Sequence, residues 1–142
     1  MLRAIFALVL GVALLTPTLS AAQQEVRRER FDIPIFPIDA NTFEVIENDG
    51  AGGTQLWCAA GIYTRQFLGQ RGGSIYIQAG RGDSRAVVGR KSVIFTTQAV
   101  DGAFSSTSQG VRRTGQVFSM AHAYALCRGT PRLQIKIREN RL

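Results

Sequence analysis

The stretch 54–68, TQLWCAAGIYTRQFL, decides the fold because it carries the clearest helical pattern in the chain. Its apolar residues recur at spacings of four, three and four, which places them on one helix face: Leu56, Ala60, Tyr63 and Phe67. Thr54 is a suitable N-cap, and Gly69 is a natural left-handed stop after the last turn. Gly61 is a poor helix former, so we expect it to let another backbone come close.

Strand patterns lie on both sides of this helix. Four segments with β-branched or alternating apolar residues are predicted to be strands, namely 43–47, 74–79, 92–97 and 133–137. A second, short helix is predicted from its N-cap Ser119 through Cys127, with Gly129 and Pro131 ending it. Residues 101–115 are rich in Ser, Thr and Gly, which predicts a long mobile loop.

The resulting order, β-α-β-β-α-β, is typical of the split βαβ or ferredoxin-like arrangement, with two helices on one face of an antiparallel sheet. We therefore expect a small single α+β domain over residues 42–142. An all-β sandwich is the alternative, because residues 115–126 have only a weak helical pattern. Residues 23–41 are expected to be an extended or flexible segment, in which Pro34 and Pro37 favour the edge of a sheet over its centre.

The first residues have the order of a secretory signal. Arg3 precedes an uninterrupted apolar run of 12 residues, Ala4 to Leu15, and small residues follow at 20–22. This order predicts a signal peptide over residues 1–22, cleaved after Ala22. A membrane anchor is the competing interpretation, but a spanning helix needs roughly 20 apolar residues. We expect a periplasmic or secreted product with no transmembrane segment after signal removal.

Two cysteines, Cys58 and Cys127, are present. An even pair in an exported protein predicts a disulfide bond, and two free buried thiols are the alternative. A zinc site is disfavoured because Zn²⁺ takes four ligands and His122 is the only histidine. The glycines at 80–82 lack the third glycine of a dinucleotide-binding loop, so no cofactor is expected.

Two further motifs have ordinary structural explanations. Residues 81–84 spell Arg-Gly-Asp-Ser, a tetrapeptide known from adhesion proteins, but its composition is that of an ordinary turn. His122 has no serine, cysteine or carboxylate at a recognisable catalytic spacing. We therefore assign no catalytic residue.

The most distinctive motif is Trp57-Cys58-Ala59-Ala60-Gly61. It resembles a group of small exported proteins of alphaproteobacteria that carry a similar Trp-Cys-x-x-Gly helix, a following Ile-Tyr strand and a second distant cysteine. The resemblance covers residues 43–127. It implies secretion and a disulfide bond, and brings no activity with it.

Charge is divided unevenly along the chain. Residues 23–49 carry a net charge of −4 and residues 50–142 a net charge of +10. The sequence therefore predicts a small non-enzymatic protein whose basic face binds an anionic envelope component or an acidic protein, and the compartment disfavours nucleic acid. The candidate anion-binding residues are Arg112, Arg113, Lys136 and Arg138. A small periplasmic hydrolase, or an inhibitor of one, is the alternative.

Overall fold

The computed structural model describes residues 30–139, so the predicted signal peptide lies outside the described residues. They form seven strands, two α-helices and a 3₁₀ turn. In chain order these are β1 (Phe31–Pro37), β2 (Thr42–Ile46), α1 (Gly53–Gln66), β3 (Ser74–Asp83), β4 (Lys91–Thr96), β5 (Phe104–Ser105), β6 (Gln116–Ser119), α2 (Met120–Ala125), the 3₁₀ turn (Leu126–Gly129) and β7 (Leu133–Ile137). None of the helices in this part of the chain is long and apolar enough to cross a membrane.

All seven strands belong to one mixed sheet in the order β5-β6-β3-β4-β2-β1-β7. The β1–β7 and β5–β6 pairs are parallel, and the other pairs are antiparallel. Both helices contribute to a core with one face of the sheet, so the α+β class is confirmed. The ferredoxin-like topology is wrong, because β1, β5 and β6 add three strands to the four predicted.

The N-terminal extended segment is a central strand. β1 lies between β2 and β7, and its residues Ile33 and Ile35 are fully buried. The paired register with β2 begins at Ile35, directly after Pro34, which has no N–H to donate. The sheet tolerates this proline because its missing donor lies beyond the end of the β1–β2 ladder. The edge position expected for this segment is therefore wrong, and the sheet begins at Phe31.

Helix α1 closely follows its predicted bounds. It begins at Gly53 with Gly52 as its N-cap, so the N-cap predicted at Thr54 is wrong. The Gln55 side chain accepts a hydrogen bond from the Gly52 N–H at 3.0 Å. Gly69 has a φ of +67°, which confirms the left-handed stop. A Cβ at Gly61 would lie 2.6 Å from the backbone nitrogen of Tyr124 in α2, so the expected close approach of another backbone is confirmed.

The core is built around Trp57, which is fully buried. The centre of its ring lies 4.9 Å from the ring centre of Phe95 and 4.4 Å from that of Phe118, so it joins α1 to β4 and β6. Its indole Nε1 donates to the Gly110 carbonyl at 3.3 Å. Trp57 is therefore a core residue that also holds the segment before β6.

The predicted disulfide bond is present. Cys58 of α1 and Cys127 of the 3₁₀ turn are bonded, with their Cα atoms 4.9 Å apart. Ser119 is the N-cap of α2 as predicted, since its hydroxyl accepts from the His122 N–H at 3.1 Å. The bond therefore ties the end of the α2 region to α1.

A buried carboxylate holds a loop over the sheet face opposite the helices. Glu44 of β2 is 2% exposed. It accepts hydrogen bonds from the backbone N–H groups of Arg85 at 2.8 Å and Ala86 at 3.2 Å, and from the Ser92 hydroxyl. The β3–β4 loop is thereby fixed to a side chain of β2, the strand next to β4.

Candidate functional site: an arginine-lined cleft

A cleft of about 590 Å³ opens where α1 begins, β2 ends and the segment 106–113 crosses the sheet. Its floor is apolar, formed by Ala51, Leu56 and Val111. We call it the arginine cleft, because its charged lining consists of Arg81, Arg112, Arg113 and Glu47. The net charge of this lining is +2.

Two glycines fix the backbone that carries Arg112. A Cβ at Gly53 of α1 would lie 2.0 Å from the Gln109 carbonyl oxygen, and one at Gly80 of β3 would lie 2.2 Å from the Arg112 carbonyl oxygen. The chain between these points therefore lies directly on both elements, where only glycine leaves room. We call residues 109–112 the clamped segment.

Hydrogen bonds hold the same segment from both sides. The Arg81 N–H donates to the Val111 carbonyl at 2.8 Å, and Trp57 holds Gly110 as described above. The Gly80 N–H donates to the Thr114 hydroxyl at 3.2 Å. The predicted long loop therefore has little regular structure but many fixed contacts, and Arg112 is held in place at the cleft.

Arg81 enters the cleft from an irregular part of β3. Two register shifts against β4, between Ile77 and Gly82, interrupt the strand. Bulges of this kind redirect side chains and are common next to functional sites. The Arg81 guanidinium pairs with the Glu47 carboxylate through two hydrogen bonds, one of 2.8 Å from Nη2 to Oε1. This hydrogen-bonded ion pair lowers the pKa of Glu47 and raises the pKa of Arg81.

Arg112 and Arg113 supply the unneutralised charge. Both side chains are exposed, and neither forms an ion pair with a carboxylate of residues 30–139. The Arg113 guanidinium lies 4.3 Å from the centre of the Phe104 ring, which orients it by a cation–π contact. The first turn of α1 has no acidic residue, so its positive helix end adds to the same potential.

The hydroxyl groups in the cleft are engaged in turns. Ser106 Oγ accepts from the Ser108 N–H at 3.0 Å, and Ser108 Oγ accepts from the Gly110 N–H at 3.2 Å. These bonds shape the segment that leads to Arg112. The charged donors that the cleft offers a ligand are guanidinium groups, which bind carboxylate and phosphate oxygens well.

The four predicted anion-binding residues are not on one face. Lys136 lies on β7, the outermost strand on one side, and Arg138 directly follows it, whereas Arg112 and Arg113 lie beyond β3. Four strand spacings separate β7 from β3, which is about 19 Å. Lys136 is also paired with Asp32, at 3.3 Å. The four candidate residues therefore do not form the single basic face that the sequence predicts.

Two functional candidates were missed, Arg81 and Glu47. They are 34 positions apart in the sequence, so no local pattern connects them. Arg81 belongs to the Arg-Gly-Asp-Ser tetrapeptide, whose first three residues end strand β3 instead of forming a loop tip. Its Asp83 is paired with Lys91. Both charged side chains of that motif are thus bonded within the protein.

The other sequence candidates lie away from the cleft. His122 is exposed, and its ring packs edge-on against that of Phe118, with the ring centres 4.5 Å apart. Within residues 30–139, no group of His, Cys, Asp and Glu side chains is placed to hold a metal ion.

Comparisons of the chain with protein-family models, curated proteins and solved structures give no match. The resemblance to exported alphaproteobacterial proteins therefore stays a prediction.

Proposed function

We propose that this protein is a non-enzymatic exported protein that binds an anionic envelope component, whose anionic group occupies the arginine cleft. The observation that carries the proposal is the clamped segment, whose backbone contacts place Arg112 in the lining of the same half-open cleft as Arg81. Clefts of roughly 300–1,000 Å³ are typical of small-molecule sites. The cleft therefore suits one anionic group with a small attached body better than a long polyanion.

The disulfide bond supports the predicted compartment. Bonds such as Cys58–Cys127 form and persist in oxidising environments such as the periplasm and the medium. An exported protein there meets carboxylates and phosphates on envelope glycans and lipids. The proposal joins this compartment to the excess positive charge of the cleft.

The experiment compares two charge-matched variants of the mature protein. R112Q/R113Q removes two positive charges from the cleft, and K136Q/R138Q removes two from the opposite edge of the sheet. Sulfate and inorganic phosphate serve as ligands in calorimetric titrations at low and high salt. Loss of charge-assisted hydrogen bonds of about 1.5–3 kcal/mol should weaken binding by R112Q/R113Q about tenfold or more.

The K136Q/R138Q variant should bind within about twofold of the wild type, because surface charges this far away are largely screened. Equal weakening in both variants would mean that net charge alone attracts the anion. Failure of the wild-type protein to bind either anion at low salt would contradict the proposal.

A further inference from the structure

Strand β7 ends the sheet with unpaired backbone groups. It pairs only with β1 among the described strands, in a parallel register from Leu133 to Ile137. The Arg138 N–H donates to the Ile35 carbonyl of β1 at 2.8 Å. Successive backbone groups of a strand point to opposite sides, so the N–H and C=O groups of Ile135 and Ile137 point away from β1. These groups can receive another strand.

The side chains of β7 differ sharply between its two faces. On the helix side, apolar residues are half-buried and pack against the core: Leu133, Ile135 and Ile137. On the opposite side, Gln134, Lys136 and Arg138 are exposed. Lys136 is paired with Asp32 at 3.3 Å, whereas Arg138 forms no ion pair with a carboxylate of residues 30–139, so Arg138 carries the free positive charge of this face. The edge therefore offers apolar contacts on one face and positive charge on the other.

We propose that β7 binds an extended segment of a partner protein in which apolar and acidic residues alternate. Main-chain hydrogen bonds from Ile135 and Ile137 hold the segment as an eighth strand, in the mode of strand addition. Its apolar side chains extend the half-buried row of β7. Its acidic side chains face Lys136 and Arg138, where opposite charges on neighbouring strands are stabilising.

Charge argues against a second copy of this chain as the partner. In an antiparallel pairing centred on Ile135, Arg138 would lie opposite Arg132, and like charges directly opposite each other are destabilising. A lysine on an edge strand also discourages pairing between copies. An acidic strand satisfies the same side chains that a second copy would repel.

This surface is separate from the arginine cleft. Its test uses the same two variants, R112Q/R113Q and K136Q/R138Q, but here K136Q/R138Q is the one expected to lose binding. The probe is a short acetylated and amidated peptide of alternating valine and glutamate, titrated into the isotopically labelled mature protein. We expect shifts of the amide signals of Ile135 and Ile137, and slower hydrogen exchange at both. K136Q/R138Q should bind the peptide about two- to tenfold more weakly, whereas R112Q/R113Q should bind it as the wild type does.

Two control peptides separate backbone pairing from charge. The valine–lysine peptide should not bind, and the valine–glutamate peptide with alternate N-methylated residues should lose binding because it lacks the donors for β7. Binding of the N-methylated peptide with unchanged affinity would overturn strand addition. An absence of shifts at Ile135 and Ile137 with the unmodified peptide would overturn the site itself, whatever happens at the cleft.

Discussion

Single glycines determine where the functional groups lie. Gly61 could be understood from the sequence, because a glycine inside a strong helical pattern suggests that another backbone approaches. Gly53 and Gly80 could not, since each meets a segment that is distant in the sequence. Their partners become visible only when α1, β3 and the clamped segment are placed together. The arginine cleft is thus set by contacts that local propensity does not encode.

Substituting Gly53 or Gly80 should reduce anion binding in the cleft more than it reduces the stability of the fold. In Gly53→Ala and Gly80→Ala, the new Cβ displaces the clamped segment, at a cost of about 1–3 kcal/mol for overpacking. Chemical denaturation should show that loss, and calorimetry should show weaker binding of sulfate. Gly72→Ala is the control, because a Cβ there meets nothing within 4 Å. Full anion affinity in both clamp variants would contradict the role of the segment.

Removing the Glu44 side chain should lower the free energy of unfolding more than removing most other polar side chains. Glu44→Ala deletes the acceptor for two partly buried backbone N–H groups and leaves the buried Ser92 hydroxyl without its partner. We expect a loss of about 2–4 kcal/mol in the free energy of unfolding. Glu44→Gln keeps one acceptor oxygen and should lose less. Urea denaturation of both variants, with Glu139→Ala as the exposed control, measures the difference.

Glu47 should compete with external anions for Arg81. Its pKa is lowered because Arg81 hydrogen-bonds to it, with Lys91 adding a weaker attraction. A carboxyl with a lowered pKa adds stability above its unfolded pKa, and this stability is lost as pH falls through the folded pKa. Protonation also removes the negative charge of the cleft, so sulfate affinity should rise in that acidic range.

Glu47→Gln should show the higher affinity already at neutral pH and a flat profile through the same acidic range. Sulfate stays charged throughout, so calorimetric titration across pH reports the protein groups alone. Identical pH profiles for Glu47→Gln and the wild type would show that Glu47 does not affect the site.

At the scale of elements, the sequence predicts those with a clear local period. Helix α1 and the cores of β2, β3, β4 and β7 lie where their patterns place them. The strands that were missed depend on distant partners. β1 contains Pro34, which suggests an edge until the ladder with β2 is seen to start after it. β6 has only four residues and is stabilised by pairing with β3.

The disulfide bond joins two of these elements and should add measurably to stability. In the chain-entropy model, closing a loop with a sequence separation of 69 residues contributes roughly 4 kcal/mol. Cys58→Ser/Cys127→Ser should lower the free energy of unfolding by an amount of this order. Guanidinium denaturation of this variant and of the wild type, with and without reductant, tests the effect. A wild type whose stability does not change on reduction would contradict it.

At the scale of the whole molecule, strand order explains both the successes and the errors. The sequence predicts the α+β class, the disulfide pair and a positively charged body. It does not predict that β7 and the clamped segment are separated by several strands of the sheet, because local patterns carry no information about strand order. One predicted basic face is therefore two separate surfaces. Arg112 and Arg113 belong to the cleft with Arg81, and Lys136 and Arg138 belong to the β7 edge.

The most direct test of the central claim is an amide NMR map of sulfate binding to the mature wild-type protein. Saturating shifts should cluster at the start of α1, at Arg81 and at Val111–Arg113, with the signals of β7 unchanged. Shifts spread over all exposed arginines, without saturation, would show a merely solvated basic surface and would contradict the arginine cleft as a binding site.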